Sequence, residues 1–68
     1  MPFNADTYRA NQYAKRSAEH LAKAREIKAR AAAGEAYDWE IPLIASNARL
    51  AILDARLART ARRIAGRK

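Results

Sequence analysis

Between Asn4 and Ala65 the chain contains only two helix breakers, Gly34 and Pro42. An interior proline removes a helical hydrogen bond and clashes with the preceding turn, and an interior glycine loses backbone entropy. The stretches on either side are therefore free to run as long helices. Apolar residues recur through both at helical spacing, without strand-like alternation. The expected fold class is all-α: an antiparallel αα-hairpin of two long helices joined by a short acidic-aromatic turn. One domain is expected, with helix 1 over about 4–33, the turn over 34–42 and helix 2 over about 42–65.

Local chemistry supports these limits. Asn4 has the side chain of an N-cap, which accepts from the first free backbone N–H groups. Phe3 and Tyr8 flank it at the spacing of a hydrophobic staple, and Asp6 places an anion in the first turn. Gly34 suits the residue beyond a helix end, where the backbone turns left-handed. Pro42 disfavours helical geometry at Ile41, so helix 2 is expected to begin close to Pro42, with an earlier start capped by Asp38 as the alternative.

The core is expected to be thin. Half of the 68 residues are hydrophobic, but 18 of those are alanine, which buries little area. Leu43, Leu50, Leu57 and Ile64 recur every seven residues, and with Leu53 and Ala61 between them they form a coiled-coil-like stripe. Its first reading is the intrachain core. Beside it runs a second face of Ile44, Ala48, Ala51, Ala55, Ala58 and Ala65. Helix 1 offers Tyr13, Ala14, Ser17, Leu21, Ala24, Ile27 and Ala31 in return. One hairpin cannot cover both faces, so the second face is expected to meet another chain, and a homo-oligomer or a larger protein partner to complete the fold. The seam Leu43, Leu50, Leu53, Leu57 and Ile64 is the candidate oligomer contact.

Charge is the strongest functional signal. The 14 Lys and Arg against seven Asp and Glu give a net charge of +7. The excess is uneven. Helix 1 carries a basic row at steps of seven, Arg9, Arg16, Lys23 and Arg30. Acids interleave with it, and Lys15–Glu19, Glu19–Lys23 and Glu26–Arg30 stand at pairing distance along a helix. The turn is acidic. Helix 2 and the chain end hold Arg49, Arg56, Arg59, Arg62, Arg63, Arg67 and Lys68 against the single acid Asp54. Arg49, Arg56, Arg59, Arg63 and Arg67 share one face, where guanidinium groups can follow a phosphate backbone. These seven bases are the candidate nucleic-acid-binding residues. Asp54 has no base one turn away on its own helix, so a base from another helix is its expected partner.

The turn residues Tyr37, Asp38, Trp39 and Glu40 are a candidate partner-binding knob, because Tyr and Trp bury much area with little rotamer loss. The simpler expectation for Trp39 is a cap on the hairpin core. His20 stands on a polar stretch and is expected to be exposed. No cysteine is present, no cleft-forming carboxylate pair or phosphate-cradling glycine loop is evident, and no metal or cofactor is expected. The chain therefore reads as non-enzymatic. No apolar run is long enough to cross a membrane, and no leader pattern stands at the N-terminus. A cytoplasmic location, or the inside of a virion-type particle, is the matching expectation.

Three functions compete. The first is binding to DNA or RNA through the arginine face, without sequence preference because no recognition motif is present. The second is a structural or adaptor subunit, or small inhibitor, within a larger protein assembly such as a phage-type particle. The third, peripheral membrane binding, has little behind it: the apolar face of helix 2 is half alanine and lacks an aromatic anchor.

Overall fold

A computed structural model describes residues 3–67 of the chain. Two helices make up the fold, α1 over Ala5–Ala32 and α2 over Ile41–Ala65. Ser17 meets Ala51 near mid-length, while Arg30 at the end of α1 meets Glu40 at the start of α2. The helices therefore run antiparallel, forming a hairpin 50 × 19 × 14 Å across.

Both ends of α1 are fixed by local chemistry. The Asn4 side chain accepts from the N–H groups of Asp6 and Thr7 at 3.0 and 3.1 Å. The Phe3 and Tyr8 rings meet at 5.7 Å between centroids, closing the staple. At the other end Gly34 takes φ +74°. Its N–H donates to Ala31 O, and Glu35 N–H donates to Arg30 O at 2.8 Å. This is the paired pattern of a Schellman motif, which satisfies carbonyls the helix leaves free. A Cβ at Gly34 meets nothing within 4 Å, so only backbone strain opposes substitution. Gly34→Ala is expected to destabilise the fold by about 1 kcal/mol, measured by denaturant titration.

Helix α2 starts without a side-chain cap; Glu40 precedes it in helical geometry and Pro42 sits in its first turn. Pro42 lacks an N–H, and the first helical turn has no intrahelical partner for one.

The core is an alanine interface. Ala10, Ala24 and Ile27 of α1 and Ala51, Ala58 and Ala61 of α2 are buried. Tyr13, Ala14, Ser17 and Ala31 of α1 and Ile44 and Ala48 of α2 are half-buried along the same interface. Small side chains let helix axes approach closely. The approach is close enough for the Ser17 hydroxyl to donate to the Ala51 backbone carbonyl at 2.7 Å.

This assigns the two faces of α2 differently from the first sequence reading. The small-residue face packs the hairpin, and of the leucine stripe only Ala61 is buried and Leu43 half-buried. Leu50, Leu53, Leu57 and Ile64 stay largely exposed, and so does Leu21 of α1. Seven-residue spacing identifies an apolar stripe but does not say which helix covers it. An alanine face gains in close backbone packing what it lacks in side-chain area.

The resulting burial is small. An extended chain of 7.6 kDa exposes about 11,000 Å², and the folded chain still exposes 5419 Å². Roughly half of the surface is buried, against about 60% for a compact domain of 60 residues. No helix among the described residues is long and apolar enough to cross a membrane.

Candidate nucleic-acid interface

With 3.6 residues per turn, each step along α2 rotates a side chain by about 100°. Its residues then fall on three faces roughly 120° apart. One carries Ala51 and Ala58 against α1. The second carries the leucine stripe. The third carries Arg49, Arg56, Arg59 and Arg63, and Arg67 follows in the turn just beyond the helix end. All five are exposed, and Ile52 stands exposed among them. From Arg49 to Arg63 the helical part of the stripe is about 21 Å long.

None of these guanidinium groups has a carboxylate partner among the described residues; the ion pairs there are His20–Asp54, Lys23–Glu26 and Arg30–Glu40. Arg62 is set apart from the stripe, as its position in the sequence implies. With Arg59 it borders a shallow open groove of about 330 Å³ floored by Ala14, Ser17, Ala55 and Ala58. Lys68 lies outside the described residues.

Helix α1 handles its charge differently. Lys23 pairs with Glu26 at 3.7 Å, and Arg16 lies 6.0 Å from the Tyr13 ring centroid. Arg30 does not pair with Glu26. It crosses to α2 and holds Glu40 through both terminal nitrogens. Glu40 also accepts from the Tyr37 N–H at 3.2 Å and is only 5% exposed. It is thus a buried fastener of the turn, unlike the neighbouring tip residues with which it was grouped. The sequence signal was a base and an acid on either side of a short connection.

The Arg30 hydrogen bonds hold the Glu40 carboxyl below its ordinary value of 4.5, against an opposing push from desolvation. The same contact holds the Arg30 guanidinium above its ordinary range. A carboxyl with a depressed folded pKa adds stability that is present above its unfolded value and lost as pH falls through the folded one. Melting followed by circular dichroism is expected to show a loss of stability on acidification below about pH 4.5. Glu40→Gln is expected to be less stable near neutral pH and to lose part of that acid sensitivity.

His20 is not simply exposed. Its Nδ1 lies 2.9 Å from Asp54 Oδ2, where a protonated ring nitrogen donates to the carboxylate. Asp54 is buried and finds the cross-helix partner its own helix lacked. The sequence could not supply the register that brings the two together.

At the turn, Trp39 is 68% exposed and does not cap the core. It stacks on Tyr37, with ring centroids 6.1 Å apart and planes within 10°. The pair stands at the end of the hairpin with Asp38 exposed between them.

No family model, curated protein or solved structure matches this chain.

Proposed function

We propose that this chain is a small, non-enzymatic helical protein that binds nucleic acid through the outer face of α2. The observation that carries the reading is the set of five exposed arginines on that face, with no carboxylate partner among the described residues. Arginine places two parallel N–H donors on a phosphate, and a line of them tracks a backbone. Such contacts carry no sequence information, so affinity is expected to be similar across sequences. The leucine stripe, in this reading, is covered by association, which completes the thin fold.

The test is a salt titration with labelled DNA and RNA fragments of mixed sequence. Four to five phosphate contacts give a slope of log affinity against log salt of about −3 to −5. A slope near zero, or no binding at low salt, refutes the reading.

A second reading has its own observation. The stacked, exposed Tyr37 and Trp39 rings are suited to docking on a protein, as in a structural or adaptor subunit. Trp39→Ala is expected to leave the melting temperature nearly unchanged, because the side chain packs outside the core. Loss of a captured protein partner, assayed with that variant, supports the adaptor role; retention removes the tip from it.

A further inference from the structure

We infer that the leucine face of α2 is the contact between two copies of this chain, paired antiparallel about a two-fold axis between Leu53 and Asp54. The inference stands on surface area and on register, independently of what the arginines bind, and charge sets how salt acts on the pairing.

Surface area comes first. A compact monomer of 7.6 kDa exposes about 4,300 Å², whereas this chain exposes 5419 Å². The surplus is about 1,100 Å², and a standard interface takes about 800 Å² from each partner. The elongated 50 × 19 × 14 Å shape is a source of the surplus, and side-by-side pairing would remove it. Leu50, Leu53, Leu57 and Ile64 are each 41–54% exposed and share one flank.

Register comes second. A two-fold contact must be self-complementary, so that residue i meets j and j meets i. With the axis between Leu53 and Asp54, Leu50 of each chain opposes Leu57 of its partner, and Leu43 opposes Ile64. The seven-residue spacing makes the stripe palindromic in residue class. The stripe occupies one flank per chain, so an isologous pairing closes at two copies.

Charge comes third. Antiparallel pairing brings the acidic turn of one chain, with Asp38, towards the Arg63–Arg67 end of the other. A two-fold axis perpendicular to the paired helices also keeps corresponding faces on one side. Both α1 helices then lie on one side and both arginine faces on the other. The dimer presents two parallel basic stripes. Their mutual repulsion weakens pairing at low salt and is relieved by screening.

Light scattering on the wild-type chain across a concentration series is the first test. A mass reaching twice 7.6 kDa is expected, with the dimer fraction rising as salt is added. Salt therefore acts here in the opposite direction from its effect on nucleic-acid binding, and either reading can fail alone. Leu50→Asp combined with Leu57→Asp is expected to return the mass to one chain while helicity persists. If that variant loses helicity, cysteine pairing decides, since the chain has no cysteine of its own. On mixing Leu50→Cys and Leu57→Cys chains under mild oxidation, the mixed disulfide is expected to dominate. A wild-type monomer at every concentration, or self-linked products in place of mixed ones, overturns the proposal.

Discussion

Ile27→Ala is expected to remove a large part of the stability of this hairpin. Ile27 is the largest fully buried side chain, and the other buried apolar residues described are all alanines. Removing three carbons there loses their transfer energy and opens a cavity, an effect of about 2–5 kcal/mol. A core built otherwise of alanine has few side chains able to move into the space, so the loss is expected well inside that range. Total stability for a chain of this length is about 3–10 kcal/mol by the usual scaling per residue. At about 4–8 °C per kcal/mol, the melting temperature is expected to fall by more than about 10 °C. Thermal melting by circular dichroism reads this directly. A shift of only a few degrees means that the core lies elsewhere.

Arg49→Glu, Arg56→Glu and Arg63→Glu together are expected to abolish nucleic-acid binding and leave the hairpin folded. The three side chains are exposed and touch no carboxylate among the described residues. Counterion release sets a minimum for the loss. Three phosphate contacts fewer reduce the magnitude of the salt slope by about 3, on the order of 10²–10³-fold in affinity at 0.1 M salt. Reversal adds repulsion to that deletion. Fluorescence anisotropy with a DNA fragment measures the loss, and far-ultraviolet dichroism checks the helices. Unchanged affinity in a folded variant leaves the stripe as a solvated face. Replacing Arg9, Lys15 and Arg25 of α1 with Glu is the matched control for net charge, and a much smaller loss is expected.

Much of the fold could be read in the sequence because its signals are local. Asn4, the Phe3–Tyr8 staple and Gly34 act on backbone within a turn of themselves, and each does in the structure what its chemistry implies. The arginine stripe was legible for the same reason, since helical spacing alone places five residues on one face. What required the second helix was not legible. Two apolar stripes competed for one partner, and periodicity ranks stripes by side-chain size. Close alanine packing, with Ser17 reaching the Ala51 backbone, decided in favour of the smaller residues. The His20–Asp54 pair depends on the same interhelical register. Glu40 was misplaced because an acid in a turn reads as solvent-facing until its partner across the turn is known.

The Arg30–Glu40 fastener spans only the short connection between the helices. Closing so short a loop loses little chain entropy, and contacts of small sequence separation form fast. Folding of this hairpin is then expected to proceed as a zipper from the turn outward, with each successive alanine layer joining a register already set. The Asn4 end, the last to close, is the first to fray.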